Sequence, residues 1–123
     1  MNKVILIGNL TKDPELTTTN NGIEVCKFTV AVQRKFKNKD GEYEADFINC
    51  VAWRKTAEFV NQYFSKGKKI ACVGSIQTRT YEAQDGGTRY VTEVVADEVE
   101  KLDWEKKTTQ ATKIKQEDDA LPF

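Results

Sequence analysis

The order in which hydrophobic patterns change along this chain restricts its fold more than any other feature: three strand patterns, one short helical pattern, then two more strand patterns. Val4 to Leu10 is a nearly continuous apolar run of strand length, closed by Thr11, Lys12, Asp13 and Pro14, and reads as a central strand followed by a turn. From Glu24 to Gln33 the pattern alternates, with Cys26, Phe28, Val30 and Val32 on a core face and Lys27, Thr29, Ala31 and Gln33 on the other. A polar excursion from Arg34 to the Asp40-Gly41 turn signal leads into a third strand, Ala45 to Trp53, so the two strands form a hairpin with a long, basic arm. Lys55 to Ser65 is the one convincing helix, with Ala57, Val60, Tyr63 and Phe64 at helical spacing and Gly67 placed to end it. Tyr63 and Phe64 are expected to anchor it. Lys69 to Glu82 and Thr88 to Leu102 are the last two strands, joined at Asp85, Gly86 and Gly87.

Five strands with a short helix between the third and fourth is the arrangement of the oligonucleotide-binding (OB) fold, an all-β, five-stranded Greek-key barrel. From Lys106 onward aromatics vanish until Phe123 while Thr, Gln, Lys and acids dominate, which is the composition of a disordered tail. The chain therefore divides into an OB domain over 1–104, a flexible linker over 105–117 and an acidic tip over 118–123. A length of 123 residues fits one such core with a modest tail.

Composition removes several function classes. Lys and Arg together number 19 and Asp and Glu also 19, so a uniformly basic surface is excluded, and any affinity for nucleic acid has to come from clustering. The chain contains no histidine, which takes away the usual residue of zinc catalysis and of hydrolytic triads. Cys26, Cys50 and Cys72 are odd in number and embedded in strand-like apolar runs, so buried free thiols are expected, with no metal and no cofactor. No apolar run is long enough for a signal peptide or membrane span, which makes a cytoplasmic protein without membrane contact the expectation. Asn9-Leu10-Thr11 matches a glycosylation sequon by chance.

The placement of rings relative to charges points to single-stranded nucleic acid, which is held by bases stacked on ring faces above a basic groove. In the third strand Phe47, Asn49, Val51 and Trp53 share one face, while Ile48, Cys50 and Ala52 share the other. Phe36 stands among Arg34, Lys35, Lys37 and Lys39, where a core phenylalanine is hard to accommodate, so it is expected to point outward. In the fourth strand Ile70, Cys72 and Ile76 are read as alternating inward, with Gln77, Arg79 and Tyr81 on the opposite parity. For Phe47, Trp53 and Tyr81 a stacking platform and a hydrophobic subunit interface both fit the pattern. Glu42, Glu44 and Asp46 follow the basic arm at once and are able to pair with it in the absence of a ligand.

The chain ends on Asp118, Asp119, Ala120, Leu121, Pro122 and Phe123, two carboxylates followed by a small apolar plug. Such a tip has no core to enter, whereas a partner's basic-rimmed apolar pocket buries Pro122 and Phe123 and pairs with the acids. The bland alternative is a tail that merely ends in phenylalanine.

Several ordered segments resemble bacterial single-stranded DNA-binding proteins: Asn2 to Leu10, Asp13-Pro14-Glu15, Tyr63 to Gly67, Gln77-Thr78-Arg79, Arg89-Tyr90, Thr92 to Val95 and the final six residues. The resemblance spans essentially the whole chain. It implies a homotetramer of OB folds that wraps single-stranded DNA without sequence preference in replication, recombination and repair, is nucleoid-associated, and recruits replication and repair proteins through its tip. It is not the pattern of an enzyme. By position, the family's stacking aromatics fall on Phe36, Phe47, Trp53 and Tyr81, and its basic contacts on Lys37, Lys39, Lys55, Lys66 and Arg79, with Arg34, Lys35 and Arg54 as local additions. Tryptophans common in the family correspond to Phe36, Phe47 and Tyr81 here, a phenylalanine to Trp53, and a histidine of some members to Ile48. The linker is short and lacks the Gly, Gln and Pro richness of longer relatives, which shortens the reach of the tip. Three readings of other kinds keep the same fold. They are a metal-dependent nuclease, for which the carboxylates are too scattered, a structural adaptor using the rings as protein interface, and another OB module such as an RNA binder or a primosome accessory protein.

Overall fold

The computed structural model describes residues 1–102; the expected boundary near Trp104, the linker and the tip Asp118 to Phe123 lie outside the described residues. The chain runs β1 (Val4–Leu10), β2 (Glu15–Thr18), β3 (Glu24–Lys37), β4 (Tyr43–Trp53), α1 (Arg54–Tyr63), β5 (Lys69–Glu82) and β6 (Thr88–Lys101). The sheet order is β1-β5-β6-β4-β3-β2, and a further β1–β3 pairing closes five of the strands into a barrel. This is the Greek-key OB architecture read from the sequence, with β2 added on the outer edge of β3. That four-residue strand, Glu15-Leu16-Thr17-Thr18, is polar apart from Leu16 and carries no alternation long enough to announce itself.

Closure depends on short seams. β1 meets β3 only at Asn9↔Ala31 and Leu10↔Val30, and β4 meets β6 in parallel only at Cys50↔Val94 and Val51↔Val95. The long pairings are the β3–β4 and β5–β6 hairpins, whose ends reach past the barrel. Inside lie Leu10, Cys26, Phe28, Val30, Cys50, Ala52, Ile70 and Cys72, with Ala57 and Val60 of α1 and Phe64 just beyond it plugging one end. Phe28 and the alternating residues of β3 are core, as expected, and the three cysteines are buried free thiols. Burial, and to a lesser degree nearby Glu15, pushes the Cys26 thiol up to about 11. A hydrogen bond with Cys72 and then burial raise that of Cys50.

Two expectations need correction, those for Ile76 and Tyr63, and two other positions are buried differently from their strand pattern. β1 is apolar on both faces, yet Ile5 and Ile7 are 68% and 52% exposed, because only one face of the strand meets the barrel core and the other is uncovered. Ile76 has the inward parity of Ile70 and Cys72 but is exposed, since it lies past Gly74, where β1 stops pairing with β5 and no longer flanks it. Val51 shares the outward parity of Phe47 and Trp53 but is buried at the floor of a groove. Tyr63 does not anchor the helix; it lies partly exposed with its ring 4.9 Å from that of Phe59, and Phe64 alone enters the core. The helix stops at Tyr63 because Phe64 turns extended while its N–H still reaches the Val60 carbonyl at 3.0 Å. Gly67, at φ 87°, then turns the chain so that its N–H bonds the Leu10 carbonyl at 2.9 Å.

Candidate nucleic-acid interface

The parity of β4 fixes the geometry of the candidate site. Phe47, Asn49 and Trp53 stand on the face away from the core, with Phe47 68% and Trp53 43% exposed, and six residues of strand separate the two rings by about 20 Å. Between them Thr29 of β3 lies opposite Asn49, its hydroxyl donating to Asn49 Oδ1 at 3.1 Å. Trp53 and Val51 open into a groove of about 420 Å³ whose other walls include Thr17, Thr19, Lys27, Gln77, Arg79 and Glu93. Trp53 and Arg79, read from separate strands of the sequence, are thus brought together. Tyr81 is two residues further along β5 on Arg79's parity and is about half exposed.

The second cluster is the β3–β4 arm. Phe36 is 82% exposed, pointing outward as expected, and shares a groove of about 680 Å³ with Arg34, Lys37, Asn38, Lys39, Asp40 and Glu44. Lys37 holds its ammonium 5.7 Å from the centre of the Tyr43 ring. Among the described residues no ion pair reaches Lys35, Lys37 or Lys39. The arm is nevertheless not basic, because Asp40, Glu42, Glu44 and Asp46 balance Arg34, Lys35, Lys37 and Lys39.

Two of the three candidate arginines, Arg34 and Arg79, are already engaged by acids. Asp46 accepts from Arg34 Nη2 at 2.8 Å and from Nε at 3.1 and 3.2 Å, while Nη1 donates to Glu44 at 3.3 Å. The hydrogen bond to Asp46 and then the two acidic charges raise the Arg34 pKa, and the same hydrogen bond holds the Asp46 carboxyl below the usual carboxylate range. The pair therefore persists at neutral pH and is lost only as pH falls through that lowered value. On β5, Arg79 Nε donates to Glu93 at 2.9 Å inside the groove.

Other expected residues fall elsewhere. Arg54 begins α1 directly after Trp53 with φ at 58°, a left-handed backbone unusual for a residue with a side chain, and this turns the chain sharply from strand to helix. Lys55 lines a smaller cleft between α1 and β6 with Phe59, Asp97 and Glu98. Lys66 lines none of these grooves; it sits beyond α1, its N–H bonded to Asp13 at 2.8 Å. Lys27, Thr17, Thr19 and Tyr43 are site residues that sequence reasoning did not single out. Lys27 was legible from its outward parity, whereas β2 and the arm's extension of β3 to Lys37 were not. Tyr90, 81% exposed, lies opposite Thr80 and so projects from the face of the β5–β6 hairpin away from Tyr81 and Arg79.

Among the described residues no three Cys, Asp or Glu side chains converge as a cation site requires, and no helix is long and apolar enough to cross a membrane. The model of the single-strand binding protein family matches residues 1–102. A single-stranded DNA-binding protein of Bacillus cereus is 57% identical over 103 residues, covering 84% of this chain and 61% of that protein. Single-stranded DNA-binding protein 2 of Clostridium acetobutylicum is 59% identical over 107 residues, covering 86% and 80%. In Clostridium tetani a single-stranded DNA-binding protein is 57% identical over 113 residues, covering 91% and 77%. The chain thus spans about three fifths of the Bacillus relative's length. A family match that takes in every strand of the barrel, joined to relatives more than half identical along it, means that this chain belongs to the single-strand binding protein family.

Proposed function

We propose that this chain binds single-stranded DNA without sequence preference, stacking bases on Phe36, Phe47, Trp53 and Tyr81 and placing phosphates near Lys35, Lys37 and Lys39 of the arm. Arg34 and Arg79 are secondary contacts in this reading because acids already pair with them, and Lys55 and Lys66 because they lie outside the two ring-lined grooves, while Arg54, next to Trp53, is a further phosphate contact. The observation that carries it is the exposure of Phe47 and Trp53 on the outward face of β4, where neither ring serves the core. Every base has a ring face and every nucleotide a phosphate, so such a surface accepts any sequence, while a stacked duplex withholds its bases. Each stacked base contributes about 1–3 kcal/mol, so a few rings suffice for tight binding.

The oligomeric part of the proposal rests on β1. Its outer face carries Ile5 and Ile7 exposed, and its edge away from β5 is paired to β3 only at Asn9 and Leu10, which leaves Val4 to Ile7 open to a second copy of the chain. A homotetramer would cover this surface. We assign residues 1–104 to DNA binding and oligomerisation, 105–117 to a linker, and Asp118, Asp119, Ala120, Leu121, Pro122 and Phe123 to recruitment of replication and repair proteins.

In a Trp104→Phe background, where Trp53 is the only indole, titration with oligo(dT) is expected to quench the fluorescence, and an unchanged signal at saturation removes Trp53 from the platform. Following particle mass in the same titration reports stoichiometry, and a monomer at all concentrations rules out the tetramer. Deleting Asp118 to Phe123 is expected to leave oligo(dT) affinity equal or slightly higher while abolishing pull-down of replication and repair enzymes. Retained pull-down would show that docking lies elsewhere.

A further inference from the structure

We infer that Asp46, supported by Glu44, is a specificity-determining residue that withholds Arg34 from phosphate, so that the β3–β4 arm selects single strands by its rings rather than by its charge. The inference rests on the single-strand reading above.

Arg34 presents a planar fork of donors, and all three of its nitrogens are directed at carboxylate oxygens on the neighbouring strand. Paired forks of this kind are the strongest charge-assisted hydrogen bonds a guanidinium makes. A phosphate would have to displace a partner that the β3–β4 hairpin holds permanently beside it, an intramolecular competitor at high effective concentration. Two acids facing one cation also leave that cluster negative. Glu44 and Asp46 have the β4 parity of Ile48 and Cys50, opposite to Phe47, so the brace holds the arginine away from Phe47 while it still borders the groove of Phe36, where a free guanidinium would meet phosphate.

The consequence concerns selectivity. Phosphates are common to duplex and single strands, whereas exposed base faces belong to single strands. A free Arg34 on the arm would strengthen both kinds of binding and erode the difference between them. Neutralising it leaves Lys35, Lys37 and Lys39 to follow the backbone and the rings to discriminate.

The test compares the full chain, Asp46→Asn and the charge-neutral double variant Arg34→Gln/Asp46→Asn in binding to oligo(dT) and to a duplex of equal length over a salt series. Asp46→Asn is expected to steepen the oligo(dT) salt dependence by about 0.7 on a log–log plot for each chain engaged, the increment for one more phosphate. It is also expected to raise duplex affinity by a larger factor than oligo(dT) affinity. The double variant is expected to match the parent in both slope and selectivity. Unchanged slope and selectivity in Asp46→Asn would overturn the inference, and so would a shallower slope in the double variant, which would mean that Arg34 already reaches phosphate. Glu44→Gln provides the same test in the same direction should Asp46→Asn fail to fold. Failure of the parent chain itself to bind oligo(dT) would instead defeat the single-strand reading.

Discussion

Replacing Phe47 and Trp53 together by alanine is expected to weaken oligo(dT) binding roughly 30-fold to 10⁴-fold, from about 1–3 kcal/mol per stacked base at each ring. The two rings are about 20 Å apart along β4, too far to share one base, so their contributions should add. Both are substantially exposed and outside the buried cluster, so the double variant should melt close to the parent and the loss should be one of binding rather than folding. Tyr90→Ala is the matching control. It removes an even more exposed ring, but from the face of the β5–β6 hairpin opposite Tyr81 and Arg79, and oligo(dT) affinity should stay within about twofold. Fluorescence anisotropy with a labelled oligo(dT) measures both. Parent-like affinity in the double variant would turn these rings back into candidates for a protein interface. A large loss in Tyr90→Ala would move the ligand to the other face.

The barrel was readable because its strands alternate or run apolar at the right lengths, and because Gly67 and the Asp85-Gly86-Gly87 turn punctuate them. Parity placed Phe47 and Trp53 outward, and a ring among four cations had to be exposed at Phe36. The same rule misplaced Ile76, because parity states which face a residue is on but not whether the barrel still lies beneath that face. Ile5 and Ile7 escaped for the complementary reason: an apolar run on both faces records total hydrophobicity, including any surface reserved for another chain. The neutral character of the arm was present in Glu42, Glu44 and Asp46. The specific Arg34–Asp46 fork depended on the register Val32↔Asp46 and the irregularity after Gln33, which no local pattern specifies. Lys66 was assigned by resemblance alone, and the fold sets it beside Asp13 instead of the grooves.

The other large effect is expected at two glycines that act on the barrel itself and supply no side chain to the candidate site. A Cβ at Gly8 would overlap the Ala31 carbonyl oxygen and lie 2.9 Å from Val30 Cγ1, and one at Gly74 would overlap the Val95 carbonyl oxygen and lie 3.1 Å from Ala96 Cα. In both cases the obstacle is backbone, which cannot swing aside as a long side chain does. Gly8 immediately precedes the two-residue β1–β3 seam, and Gly74 sits where the β5–β6 register shifts from Val73↔Glu98 to Ala96, so relief of either overlap strains a barrel closure. Overpacking of this kind costs about 1–3 kcal/mol and sometimes more. At about 4–8 °C per kcal/mol for a domain of this size, Gly74→Ala and Gly8→Ala should each lower Tm by roughly 4–24 °C, with the double variant largely unfolded if both costs are near the upper end and total stability is near 5 kcal/mol. Gly86→Ala separates this cause from backbone conformation. Gly86 has φ at 88° and no atom within 4 Å of the position a methyl group would take, so only the left-handed strain of about 1–2 kcal/mol applies and the shift should be smaller. Thermal melts in which Gly74→Ala falls no further than Gly86→Ala would mean that the seam yields, and that strand approach at these glycines is not what holds the barrel closed.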